Sequence, residues 1–308
     1  MPQMKPGTSR SGAALLASLL AAACALPVPT AAPTRSEMVH ATTTRNELIS
    51  FRAGQPGVIL SRKAIVGLPP GEHISGIDFR PSNGKLYALS SAMRLYTLDT
   101  ASGIATPVGT GPMAVRLTGT EFGFDFNPVV DRIRLVSDKG ENLRLHPDTG
   151  AVVDADPGRP GVQIDVPLRY DEEDENGGRL PRISGAAYSN SGVADAKVTT
   201  NFAIDAGLGV LVTQGTREGT SPAFAPATPN TGRLFTVGPL GVQPDGPVSF
   251  DIARGAASGS RTGTAFAAFI PLGRNATTLY QINLQTGKAT DLGVIDRGEP
   301  VTGIAIQP

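Results

Sequence analysis

The chain has 308 residues, of which 40% are hydrophobic and only 18% charged, with 37 Gly and 26 Pro. That composition excludes a helical bundle, whose wet faces need charged helix formers, and predicts many short strands joined by turns. Lys+Arg and Asp+Glu balance at 27 each, Trp is absent and aromatics are 5%, which excludes a basic field for nucleic acid and disfavours base-stacking platforms.

At the N-terminus, Lys5 and Arg10 precede a short apolar run from Ala13 to Ala23. The run is about half the roughly 20 residues a membrane span needs, and Pro27 and Pro29 follow at once. It predicts a secretory signal over residues 1–24. The single cysteine, Cys24, ends the run in a stretch resembling a bacterial lipobox, with Ala21 where Leu is favoured. The same stretch offers the small-x-small pattern of an ordinary cleavage site, so Cys24 is a lipidation candidate or an incidental thiol. Residues 25–36, rich in Pro and Thr, predict a tether, and residues 37–308 the folded domain.

A four-residue unit then recurs: Gly76-Ile-Asp-Phe79, Gly123-Phe-Asp-Phe126, Gly185-Ala-Ala-Tyr188, Ser249-Phe-Asp-Ile252 and Gly303-Ile-Ala-Ile306. Starting points at 76, 123, 185, 249 and 303 give intervals of 47, 62, 64 and 54 residues, the period of propeller blades. The first two copies continue alike through a second strand to a third, Arg94 to Leu98 or Asn142 to Leu145, and then a turn ending in Gly103 or Gly150. The segment from Met38 to Val66 predicts strands two to four of a blade without its first. The chain ends on Val301–Ile306, a first strand without its blade. Joining the two removes both unpaired edges. The fold expected is therefore all-β, a propeller of about five four-stranded blades closed by the C-terminal strand. A β-sandwich or a different blade number is the alternative, because the fourth copy is irregular.

These residues, with Leu168-Arg-Tyr170, Glu175-Asn-Gly177, Pro181-Arg-Ile-Ser-Gly185 and Gly238-Pro-Leu-Gly241, resemble the bacterial DUF4394 family of unknown function. The resemblance runs from about Glu37 to Pro308. It implies a repetitive β fold and an extracytoplasmic setting, and it supplies no catalytic residues.

Asp78, Asp125 and Asp251 take one position in three copies, where Ala187 and Ala305 stand in the others. A ring of carboxylates suits a hard cation such as Ca²⁺. The same ring suits acceptance of hydrogen bonds from neighbouring backbone. The acidic run Asp171–Glu175 lacks the spacing of an EF-type loop and predicts a solvated loop. His40, His73 and His146 have no metal-ligand spacing, and no GxSxG elbow is present. No cofactor follows from these patterns. The expectation is a cell-envelope or secreted binding module for an extracellular protein or small ligand, touching membrane only through a lipid on Cys24. Arg159–Pro181 and Thr216–Thr231 are its expected recognition loops. The alternative is an extracytoplasmic lyase or hydrolase with a carboxylate- or cation-lined channel.

Overall fold

The structure, a computed structural model, describes residues 1–4, 7, 35–189, 198–216, 227–253 and 263–308. Cys24 and most of Thr216–Thr231 lie outside the described residues. The chain divides into two compact units, Met1–Thr34 and Arg35–Pro308. In the second, twenty strands form five radial sheets, and there is no α-helix among the described residues.

The first sheet holds Met38–Thr43 (β1), Glu47–Arg52 (β2) and Ile59–Ala64 (β3). The second is Ile74–Phe79 (β4), Leu86–Ser90 (β5), Leu95–Leu98 (β6) and Ala105–Val108 (β7). The third is Phe122–Asn127 (β8), Arg132–Ser137 (β9) and Asn142–Leu145 (β10), its fourth strand reduced to one bridge between Leu145 and Val152. Arg169–Tyr170 (β11) joins the fourth sheet of Ile183–Tyr188 (β12), Asn201–Asp205 (β13), Val210–Gln214 (β14) and Arg233–Pro239 (β15). The fifth is Ser249–Ile252 (β16), Ala265–Phe269 (β17), Thr278–Ile282 (β18) and Ala289–Val294 (β19). The last strand, Val301–Ile306 (β20), pairs antiparallel with β1, Ala41 opposite Ile304.

The chain is a five-bladed β-propeller, closed by its own C-terminal strand in the first blade. The five innermost strands, β20, β4, β8, β12 and β16, meet around one axis. Strands are buried on both faces because each blade packs against two neighbours. Along β5, Leu86 and Ala88 join the core shared with blade 1, while Tyr87 and Leu89 join the core shared with blade 3. Five hydrophobic clusters result, one for each seam.

The seam between blades 3 and 4 adds a buried polar network. Arg134 donates to Asp165 Oδ2 (2.6 Å), Asn142 Oδ1 (2.8 Å) and Asn230 Oδ1 (2.6 Å). This network corrects part of the loop expectation. Within Arg159–Pro181, Asp165 and Leu168 are buried, and β11 lies parallel along β15, covering an edge that would otherwise be open. The acidic run is likewise divided. Asp171 pairs with Arg233 and Asp174 accepts the Thr236 N–H (2.6 Å), while Glu172, Glu173 and Glu175 are exposed.

Removing residues 301–308 strips β1 of its partner and opens the core that Val301, Ile304 and Ile306 share with blade 5. We expect the truncated chain to lose its single cooperative melt and to associate through the bare edge of β1, read by calorimetry and light scattering. A monomer melting at the full-length temperature is the contrary result.

Candidate functional site

The repeat brings Asp78, Asp125 and Asp251 together on the axis. They project from β4, β8 and β16, are 7%, 1% and 4% exposed, and offer one oxygen each within 4.8 Å of the others. An innermost strand pairs on one side only, so alternate N–H groups face the axis without a sheet partner. The carboxylates take them. The Phe126 N–H donates to Asp78 Oδ2 (2.7 Å), the Tyr188 N–H to Asp125 Oδ1 (2.9 Å) and the Ile306 N–H to Asp251 Oδ2 (2.6 Å). Each bond crosses from one blade to the next. Where the preceding blade carries Ala305 or Ala187 instead of Asp, the following Asp also takes the N–H of its own neighbour. Ile252 donates to Asp251 Oδ1 (2.5 Å), and the Phe79 N–H bonds Asp78. Asp125, preceded by Asp78, takes one.

Burial raises all three carboxyls. Asp251 rises to about 6 through burial, against the N–H bonds of Ile306 and Ile252. Burial and then the Asp251 charge hold Asp78 well above the ordinary range; burial and then the Asp78 and Asp251 charges do the same to Asp125. Three charges so close in a buried space do not all ionise together near neutrality. Ca²⁺ takes six to eight oxygens, whereas these three side chains already accept backbone N–H groups. On the axis, the innermost strands leave a gap of about 10 Å³ between residues such as Ile77, Phe124 and Phe250, near the least space that holds one water. Close approach of the strands requires glycine there: a Cβ on Gly123 would stand 2.7 Å from the Ala186 Cβ.

A second feature opens where β4 and β8 begin, on the seam between blades 2 and 3. It is a groove of about 990 Å³, walled by His73–Ser75, the β5–β6 turn from Ser91 to Met93, and the loop Pro112–Thr120. The walls are tied together. Ser91 N–H donates to the His73 carbonyl (2.8 Å), and Met113 N–H to the Met93 carbonyl (2.9 Å). Glu141 accepts the N–H groups of Thr118 (2.7 Å) and Gly119 (3.1 Å), and Asp138 that of Thr120 (2.8 Å). Met93, Met113, Val115 and Phe122 rest on the seam's core.

Of the histidines, His73 lines this groove. His40 is buried edge-on to Phe79, its pKa lowered chiefly by burial, and His146 caps a turn near Asp148. The repeat led to the axial carboxylates but not to the groove, which is built where the repeats differ.

The sequence profile described as Domain of unknown function (DUF4394) matches residues 47–305. The chain belongs to this family. No curated protein matches it in sequence. Among solved structures, the DUF4394 propeller is similar to a chain of a nidogen/laminin complex, at 12% identity and a TM-score of 0.43, covering 88% of this chain and 98% of that one. It is also similar to a Lactobacillus plantarum protein, at 16% identity and a TM-score of 0.35, covering 89% and 72%. Neither likeness carries a functional argument.

The raised carboxyls set a pH dependence. Folding favours their protonated forms: the contribution of Asp251 is complete below about pH 4 and is lost as pH climbs through about 6, and those of Asp78 and Asp125 run in the same direction. Asp148, held low by its bond from Arg80, acts oppositely in acid, so the effect is read as a difference between variants. Asp125→Asn keeps an acceptor for the Tyr188 N–H and removes one charge. We expect its melting temperature to exceed wild type increasingly from pH 5 to pH 8, while Asp125→Ala, leaving that N–H unpaired, loses about 1–3 kcal/mol. A difference that stays flat with pH contradicts the account. Chelation is expected to leave the wild-type melt unchanged; a fall reversed by Ca²⁺ and absent in Asp125→Asn points to a shared cation instead.

Proposed function

We propose that this chain is an exported, non-catalytic binding module whose ligand sits in the groove between blades 2 and 3. The groove carries the reading. Its volume suits a small molecule, its walls are fixed by hydrogen bonds before any ligand arrives, and it mixes an apolar floor with a few polar groups. Export is supported by the leader pattern over residues 1–24, and Cys24 offers a lipid attachment that would hold the propeller at an envelope membrane. The enzymatic alternative has less support, because the carboxylates that would serve it are buried and already accept backbone N–H groups.

The chain has five methionines, and Met93 and Met113 both line the groove. With methyl-labelled methionine, we expect at least one compound from a panel of small acids, amines, sugars and peptides to shift these two signals together and saturably. The compound should be recovered chemically unchanged. Conversion of the compound turns the reading to an enzyme. Silence at both methyls across the panel removes the groove as a site.

A further inference from the structure

We infer that the groove selects a small organic anion with an apolar body, of which a medium-chain carboxylate is the simplest example. This rests on the reading of the groove as a ligand site and adds the chemistry of the ligand. Charge is the first observation. Arg116 is the only Lys, Arg, Asp or Glu lining the groove, and it has no ion-pair partner among the described residues. The neighbouring acids Asp138 and Glu141 are engaged by the wall's own N–H groups. A guanidinium fork left unpaired beside an apolar floor matches a carboxylate on an apolar stem. Ser75 and His73 stand in the same lining, with side-chain donors for the ligand's polar end, while the Thr118 hydroxyl is already given to Glu141 (3.0 Å).

The second observation is a backbone conformation. Three blades make the same turn after their second inner strand segment: Asn46 N–H bonds Thr43 O, Met93 N–H bonds Ser90 O, and Gly140 N–H bonds Ser137 O. All three residues have positive φ, at 56°, 59° and 78°. Asn and Gly are the residues that tolerate this region; a long side chain there is strained. Among the described non-glycine residues with positive φ, Met93 stands apart from Asn46, Asp131 and Asp296. The backbone bonds of the turn do not need a methionine, since Gly140 makes the same one. What the side chain adds is a thioether that rests on the seam's core and lines the groove with Met113, Val115 and Phe122. Flexible, polarisable methionines fit an aliphatic body of variable shape. Strain kept at a side chain that both rests on the seam's core and lines the groove points to a role in the groove beside its packing. Arg116 thus sets the charge of the ligand, and Met93 is a specificity residue for its apolar part.

The test compares octanoate, octylammonium and 1-octanol, all below micellar concentration, by calorimetry and by the Met93 and Met113 methyl signals of the full chain. We expect octanoate to bind saturably and at least tenfold more tightly than octylammonium. Arg116→Gln, at an exposed position, should weaken octanoate about tenfold while leaving octanol unchanged. Met93→Gly, which relieves the strained φ but gives up the thioether, should weaken octanoate and octanol alike. Equal binding of octanoate and octylammonium at these methyls overturns the anion assignment and leaves the groove as a site. So does indifference of octanoate to Arg116→Gln. If all three probes are silent while another compound of the wider panel moves both methyls, the ligand class is wrong and the binding reading stands. Silence to every compound overturns both. A Met93→Gly chain that binds octanoate and octanol unchanged overturns the role given to Met93.

Discussion

Five strands meeting on one axis carry buried N–H groups that no sheet can pair. That is the constraint on which this fold turns. Phe79, Phe126, Tyr188, Ile252 and Ile306 supply those donors, and three carboxylates accept all five. An Asp that follows an Ala takes two N–H groups, and the Asp that follows an Asp takes one. Fewer carboxylates would leave buried donors without partners; five would crowd more charge into the same space. The pattern Asp, Asp, Ala, Asp, Ala is therefore a balance between hydrogen bonding and repulsion. It ties closure of the wheel to the protonation of its hub.

The ring explains why β20 belongs to the first blade in more than a topological sense. Ile306 gives its N–H to Asp251 of blade 5, while Ala41 of blade 1 lies opposite Ile304. The last strand is thus held laterally by a ladder and axially by a carboxylate. Around this hub the five seam cores are not equal. Tyr, Leu and Phe fill the seam between blades 2 and 3, whereas the seam between blades 3 and 4 has a smaller apolar cluster with Val136, Ala186 and Ala203. Arg134, Asp165 and Asn142 occupy the remaining space there. A long insertion is tied down by that network.

What was legible in the sequence follows from what the blades share. Gly76, Gly123, Gly185 and Gly303 mark four inner strands because close packing at the axis excludes a Cβ, and the Asp positions stand two residues on for the reason just given. Closure was legible as two incomplete ends. Local features were not: the outer strand of blade 3 shrinks to a bridge at Val152, and Arg169–Tyr170 pairs in parallel with a strand over 60 residues later. Period-two patterning carries no sign of either, since both are decided by tertiary contact. The groove was missed for a related reason. His73, Met93 and Arg116 are separated in sequence, and the pairing of β4 with β5 and the bond from Met113 back to Met93 bring them to one groove. One cue was present, the methionine standing in a turn where sister copies have Asn46 and Gly140.

A closed array of similar units is rigid, and rigidity makes departures from the repeat informative. Positions that serve the wheel are constrained by contacts each blade repeats, so a residue that breaks the pattern at some local cost needs a reason outside the repeat. The axial carboxylates obey the pattern: every departure to Ala187 or Ala305 is compensated within the ring. Met93 does not: its side chain packs on the seam's core, but at a positive φ that sister turns give to Asn46 and Gly140. The hub and the groove are therefore different in kind. Carboxylates buried on the axis maintain the scaffold, and the groove where β4 and β8 begin, whose walls are locked by Glu141 and Asp138, presents side chains that pack on the seam on one side and face the open space on the other.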